Sequence, residues 1–286
     1  MKLKFLQIQK LRALVSSFTD RNVIELLRLL DKKKKILRIT LNSDEMLPFK
    51  QCINEMSLFC KTAPYMLTIK RKDKYNNYIT TNVEWNNKLK KKIYLVYIST
   101  AISKCDQAIN KEINEDDDYN LGIFYGYPRC CVKNYSKILK NKNWIVNMLN
   151  NSNSKTKSFY NNKLAYLFNG APSLLEDYFP CSLDCKKSLL MAKQNYKLLK
   201  KYGFNTLAGD IVEKLKRNIF IFNNKFYQFK KSYKKKDFLI IKDPSIFISY
   251  QKKKLIIKEK KLKIFQDHRE NYILYKEKKC PIYLFK

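Results

Sequence analysis

The sequence predicts an α+β fold, because three segments of the chain differ in how their apolar residues are spaced. Helical and strand-like patterns alternate in residues 1–115, which indicates an N-terminal α/β unit. Mainly helical patterns occupy residues 116–210, which also contain two cysteine motifs. Residues 211–286 consist of short β-type runs separated by polar turns, so they predict a basic antiparallel β-meander.

The N-terminal unit is predicted from elements that alternate along the chain. Leucines and valines at helical spacing predict the helices, and runs rich in β-branched and aromatic residues predict the strands. The predicted helices are 20–34, 44–60 and 100–113, and the predicted strands are 36–41, 65–70 and 93–99. On this prediction Cys52 and Cys60 share one helix, and Cys105 lies on another.

The central and C-terminal segments are predicted in less detail. A polar, acidic stretch at 114–120 predicts a solvated loop, and residues 121–200 are predicted to be mainly helical with an exposed loop at 151–157. In the C-terminal segment, Asn223-Asn224 and Asp243-Pro244 are turn signals between the β-type runs.

The chain is strongly basic, with 59 Lys and Arg against 25 Asp and Glu and a formal net charge of +34. Such a surface attracts polyanions, so an anionic small molecule or a nucleic acid is an expected partner. The excess is mostly lysine and accompanies abundant Asn, Ile and Tyr, a composition that an AT-rich genome also produces. Composition alone therefore leaves both explanations of the charge open.

Several classes of protein and site are disfavoured. No uncharged apolar stretch reaches 18 residues, and Lys10 and Arg12 interrupt the apolar N-terminus, so we expect a cytoplasmic protein without a membrane span or signal peptide. The single histidine, His268, excludes sites built on several histidines. Five glycines, none before Gly122, leave no glycine-rich phosphate loop.

Two cysteine motifs carry the chemistry that the sequence predicts. The first reads LGIFYGYPRCCV over 121–132, and the second reads YFPCSLDC over 178–185. In each motif a proline precedes the cysteines, and proline is suited to the first turn of a helix. Unpaired N–H groups at a helix start favour the thiolate, the form of cysteine that binds metals. Cys181 and Cys185, at i and i+4, are expected to share one helical face.

If the two predicted helix starts converge, Cys130, Cys131, Cys181 and Cys185 form one thiolate site. Four thiolates suit a [4Fe–4S] cluster or a tetrahedral zinc ion. The sequence favours the cluster, because adjacent cysteines strain a zinc chelate and because the ligand spacing resembles that of assimilatory sulfonucleotide reductases. The alternatives are a dithiol redox pair and ordinary buried cysteines, which pack as small hydrophobes.

The same two motifs resemble an uncharacterised family of bacterial and archaeal proteins, number 483 among the domains of unknown function. The pattern of that family runs LGYPxCC and then PCSxxC, and the likeness covers about residues 121–190. This chain departs from the pattern around residues 123–125, where Ile-Phe-Tyr separates Gly122 from Gly126. The resemblance implies shared cysteine ligands and brings no established reaction.

The leading functional prediction is a cytoplasmic iron–sulfur or metal-binding protein. If the protein is an enzyme, the four-cysteine site would perform redox or Lewis-acid chemistry. Arg129, Lys133 and Ser182 would then line the site and contact an anionic substrate. The sequence identifies no catalytic residue, since His268 fits a polar turn as well as a general base. There are two alternative predictions. One is a nucleic-acid-binding protein whose helices are held together by zinc, and the other is a structural or interaction protein.

Overall fold

Helices and antiparallel sheets both occur in the computed structural model, which confirms the predicted α+β class. The structure describes residues 2–72, 78–83, 93–114, 118–141, 148, 152, 156–162, 175–176, 178–222, 225–229, 232–235, 238–241, 245–247, 254–256, 261–266, 271–275 and 278–285. The chain divides into two compact units, Met1–Val132 with Lys197–Asn205, and Lys133–Tyr196 with Thr206–Lys286. The three segments that the sequence predicts, 1–115, 116–210 and 211–286, stay a prediction.

The helices of the described residues are α1 (Lys2–Leu14), α2 (Asp20–Leu30), α3 (Met46–Glu55), α4 (Ile102–Asn114), α5 (Asp118–Phe124), α6 (Arg129–Asn141), α7 (Lys186–Lys201) and α8 (Asn205–Leu215). Short 3-10 helices span Ser43–Glu45 and Phe159–Asn161. Among these described helices, none has the length and apolar character needed to cross a membrane.

The strands of the described residues are β1 (Ile36–Asn42), β2 (Phe59–Lys72), β3 (Tyr78–Val83), β4 (Ile93–Ser99), β5 (Thr156–Lys157), β6 (Ile219–Phe222), β7 (Lys225–Phe229), β8 (Ser232–Lys235), β9 (Phe238–Ile241), β10 (Ser245–Phe247), β11 (Lys254–Ile256), β12 (Lys261–Gln266), β13 (Asn271–Tyr275) and β14 (Lys278–Phe285).

The N-terminal sheet has the order β1-β4-β2-β3, and every pair in it is antiparallel. The last five residues of β4 are all buried, as expected for a continuous apolar strand inside a sheet. Helix α4 packs against this sheet, where Tyr97 of β4 and Cys105 of α4 belong to one buried cluster. Tyr125, in the turn after α5, joins the same cluster and so connects the first cysteine motif to the sheet.

Two helices of this region end earlier than their sequence patterns predict. Lys32 and Ser57 adopt positive φ angles of 59° and 58°, and a residue in that conformation cannot continue a right-handed helix. The prediction that Cys60 is helical is therefore wrong, because Cys60 lies on β2. Residues 118–120 are also helical rather than part of a loop, and Asp118 suits the positive end of α5.

The C-terminal strands form a sheet of order β11-β10-β7-β6-β14-β13-β12-β9-β8. These pairs are antiparallel, and β5 adds to β14 in parallel. The sheet is antiparallel as predicted, but it is not a simple meander. Within the described strands, β7 pairs with β10, β9 with β12 and β6 with β14, and none of these pairs is consecutive in the sequence. The sheet order is therefore set by long-range pairing that the local turn signals do not encode.

A buried charge cluster lies at the end of α2. The carboxylate of Glu25 contacts Arg28 at 3.0 Å and also contacts the ammonium of Lys34. These three residues are only 2%, 4% and 6% exposed. The ammonium of Lys34 also lies 5.4 Å from the centre of the Tyr127 ring, which belongs to the first cysteine motif. Buried charges are tolerated only when they are paired, so Glu25 is needed here.

Candidate metal centre

The first cysteine motif begins with a helix end that requires a glycine. The N–H of Gly126 donates to the carbonyl of Ile123 at 2.9 Å, and the N–H of Tyr127 donates to the carbonyl of Gly122 at 3.0 Å. This pair of bonds is a Schellman motif, which places the residue at C′ in the left-handed region. Gly126 accordingly has φ = +80°. The motif ends α5 and leads the chain directly to Pro128.

The other glycine of the motif permits close packing between α5 and the start of α6. A Cβ atom added at Gly122 would lie 2.7 and 2.9 Å from the two γ-methyl groups of Val132. Val132 is 3% exposed and follows Cys131 in the sequence. A side chain at position 122 would therefore push against the residue that neighbours a candidate ligand.

Helix α6 begins where the proline predicts. The carbonyl of Pro128 accepts hydrogen bonds from the N–H groups of Cys131 and Val132, at 2.8 and 3.0 Å. Cys130 and Cys131 thus occupy the first turn of α6, which confirms their predicted position. Their sulfur atoms lie 3.9 Å apart. Cys131 is buried, whereas Cys130 is exposed.

A carboxylate on α4 holds the turn that precedes the first motif's cysteines. Glu112 accepts hydrogen bonds from Arg38 of β1 at 2.7 Å, from the hydroxyl of Tyr97 at 2.6 Å and from the hydroxyl of Tyr125. The guanidinium of Arg38 also lies 5.5 Å from the centre of the Tyr125 ring. Burial lowers the pKa of Arg38. The nearby carboxylate of Glu112, together with the side chains of Tyr125, Tyr127 and Tyr97, has the larger effect and raises the pKa of Arg38 above its usual value. The turn is therefore fixed to the sheet by charge-assisted bonds.

The second cysteine motif differs from its prediction. Helix α7 begins at Lys186, and the carbonyl of Cys185 accepts the first helical bond, from Leu189 at 2.9 Å. Cys181 lies before the helix, in a turn where the N–H of Cys185 donates to the carbonyl of Ser182 at 3.3 Å. The prediction that one helical face presents Cys181 and Cys185 is therefore wrong. Ser182 and Asp184 are residues that favour turns over helix.

Side chains remote in sequence fix this turn. The N–H of Leu183 donates to the hydroxyl of Ser152 at 2.9 Å, and Leu183 is 1% exposed. Further along, Ser188 of α7 donates to the buried carboxylate of Glu176 at 3.1 Å. No local pattern singles out Ser152 or Glu176, because the partner of each lies more than ten residues away in the sequence.

The four cysteines come together. The sulfur atoms of Cys130, Cys131, Cys181 and Cys185 all lie within 4.8 Å of one another. Cys131 and Cys185 are buried, and Cys130 and Cys181 reach the surface. The group offers four soft sulfur donors, so these closely spaced cysteines could hold a metal ion.

The remaining residues singled out from the sequence lie elsewhere or stay untested. Arg129 and Lys133 are exposed on α6 and Ser182 is half-buried, and their role beside a substrate stays a prediction. Burial raises the pKa of Cys105 to about 11, and its thiol lies 3.5 Å from the carbonyl of Tyr97. That environment fits packing rather than metal binding. His268 lies outside the described residues.

The glycine at position 122 gives a prediction with an internal control. We expect Gly122→Ala to lower the free energy of unfolding by about 1–3 kcal/mol, the usual cost of overpacking. Gly209, in α8, would meet nothing within 4 Å, so Gly209→Ala should instead stabilise by about 1 kcal/mol through helix propensity. Urea titration of both variants measures the difference. A stabilising Gly122→Ala would contradict the close packing against Val132.

Comparison with known proteins links part of the chain to a family. A family model described as "Protein of unknown function (DUF483)" matches residues 79–207. The matched span contains all four cysteines of the candidate centre and the helices α4 to α7. No curated protein and no solved structure matches the chain.

Proposed function

We propose that this chain, whose residues 79–207 match the DUF483 family model, is a metalloprotein whose four cysteines hold one zinc ion. Cys130, Cys131, Cys181 and Cys185 supply the four ligands. The zinc has a structural role, because four protein thiolates leave no open position for water or substrate. A reducing compartment such as the cytoplasm would keep these thiols available for metal.

The separation of the sulfur atoms carries this proposal. Four thiolates at about 2.3 Å from one tetrahedral ion stand about 3.8 Å from each other. The distance between the sulfur atoms of Cys130 and Cys131 is 3.9 Å, and the largest distance within the group does not exceed 4.8 Å. Small side-chain rotations would bring the four sulfur atoms to the corners of a tetrahedron.

An iron–sulfur cluster, which the sequence favours, is the second candidate. The cysteine sulfur atoms around a [4Fe–4S] cube stand about 6 Å apart, so all four would have to move outward from their present positions. In favour of this candidate, Cys130 is exposed and lies between the exposed basic residues Arg129 and Lys133. An anionic substrate could approach there, and the protein would then be an enzyme using redox or Lewis-acid chemistry.

Metal and acid-labile sulfide analysis of anaerobically purified full-length protein distinguishes the two candidates. We expect a colourless protein with one zinc and no sulfide per chain. A brown protein that contains iron and sulfide in equal amounts would contradict the zinc proposal and support the iron–sulfur cluster. Protein that takes up neither metal after reconstitution with zinc or with iron and sulfide would rule out both.

A further inference from the structure

Helix α7 presents a face that is basic along its whole length. It contains six lysines and no Asp or Glu. Lys186, Leu190 and Lys193 follow one another at spacings of four and three, so they share one side of the helix. All three are exposed, and Leu190 is 59% exposed. The opposite side carries the buried residues Ser188, Ala192, Asn195 and Leu199.

Helices α1 and α6 also lack Asp and Glu, so α7 is distinguished by its six lysines and by the aromatic residues beside it. Helix α8, the next helix in the sequence, carries Asp210 and Glu213, both exposed, beside its lysine. Six lysines without a carboxylate give the exposed side of α7 a single sign of charge. The uniform sign along α7 therefore indicates a surface suited to a polyanion.

A stacked aromatic pair lies next to this basic face. The rings of Phe159 and Tyr160 are stacked with centroids 4.1 Å apart, and both residues are half-buried. The ammonium of Lys193 lies 5.9 Å from the centroid of Tyr160, and that of Lys216 lies 5.0 Å from the centroid of Phe159. The two rings thus cover one face of each other, and a lysine ammonium lies over each ring. Tyr196 also contacts Tyr160 edge-on, with ring centroids 5.9 Å apart.

We propose that Phe159, Tyr160, Lys193 and Lys216, with the basic face of α7, bind single-stranded nucleic acid. Lys193 and Lys216 would move from the rings to the phosphates, and an unstacked base would then pack on the ring face that a lysine leaves. A single strand fits better than a duplex, because duplex bases are already stacked inside the helix and cannot reach the rings. This inference goes beyond the metal centre and does not depend on it.

The charge contribution is tested by fluorescence anisotropy with a labelled 15-nucleotide oligo(U) RNA and the matching oligo(dT) DNA. We expect Lys193→Gln/Lys216→Gln to weaken binding and to reduce the slope of log affinity against log salt by about 1.4, or about 0.7 for each lost phosphate contact. Lys35→Gln/Lys50→Gln, which removes two exposed lysines elsewhere, should leave affinity and slope unchanged. Equal losses in both double variants would overturn the proposal, since binding would then follow total charge.

The aromatic contribution is tested at Tyr160. We expect Tyr160→Ala to weaken binding of the single strands on the order of 10-fold, and Tyr160→Phe to bind like the unchanged protein, because phenylalanine retains the stacking surface. A duplex of the same length should bind more weakly and respond little to either substitution. Equal binding of duplex and single strand, with Tyr160→Ala unchanged, would overturn the proposal. If Tyr160→Ala does not fold, the lysine variants and the duplex comparison decide alone.

Discussion

Replacing Cys131 or Cys185 with serine is expected to abolish stoichiometric metal binding. Both thiols are buried within the group of four, so a serine hydroxyl would leave the ion with three thiolates and a poor fourth donor. With free zinc held at a thousand times its dissociation constant, the intact site stabilises the folded protein by about 4 kcal/mol. Each variant should lose that zinc-dependent increment, which thermal unfolding with and without zinc measures.

Cys52 provides the matched control for these variants. It is fully buried on α3, and it is not one of the four clustered cysteines. Burial raises the pKa of its thiol, which further disfavours a role as a metal ligand. Cys52→Ser should therefore retain one metal per chain. Full metal content in Cys131→Ser, or an equal loss in Cys52→Ser, would contradict the assignment of the ligands.

Glu25→Gln should be strongly destabilising, by about 3–5 kcal/mol. The substitution removes the carboxylate that pairs with Arg28 and Lys34, all three being nearly inaccessible to solvent. Breaking a buried ion pair at one partner leaves charge in the interior without its counter-charge. Chemical denaturation should show a lower midpoint in urea with an unchanged slope, which indicates lost stability without a change in the exposed surface.

Glu55→Gln is the control for the charge cluster. Glu55 pairs with Lys10 at 2.8 Å, but 42% of its side chain and 51% of the lysine side chain are exposed. Water screens such a pair, so this substitution should cost no more than about 1 kcal/mol. If Glu25→Gln proves as mild as Glu55→Gln, the cluster contributes little to the stability of the fold.

The start of α6 could be predicted from the sequence because its cause is local. Pro128 lacks an N–H and its carbonyl begins α6, so the position of Cys130 and Cys131 follows from the adjacent residues. The same reasoning failed at the second motif. There a hydrogen bond from Leu183 to Ser152, 31 residues away, accompanies a turn where the proline suggested a helix.

The limits of the fold prediction have the same origin. Runs rich in apolar and β-branched residues located β1 and β4 closely, since such residues identify strands without reference to their partners. The order β1-β4-β2-β3 and the pairing of β6 with β14 depend on contacts between distant segments, which no local pattern specifies. The early end of α3 depends on the positive φ of Ser57, a residue type that gives little warning of that conformation.

X-ray absorption spectroscopy at the metal edge tests the four-sulfur centre most directly. For the metal-loaded protein, the single-ion proposal predicts one shell of four sulfur atoms at about 2.3 Å, with no nitrogen or oxygen ligand and no second metal nearby. A metal–metal distance in the spectrum would instead require a cluster. A shell of nitrogen and oxygen donors would show that the metal is bound somewhere other than Cys130, Cys131, Cys181 and Cys185.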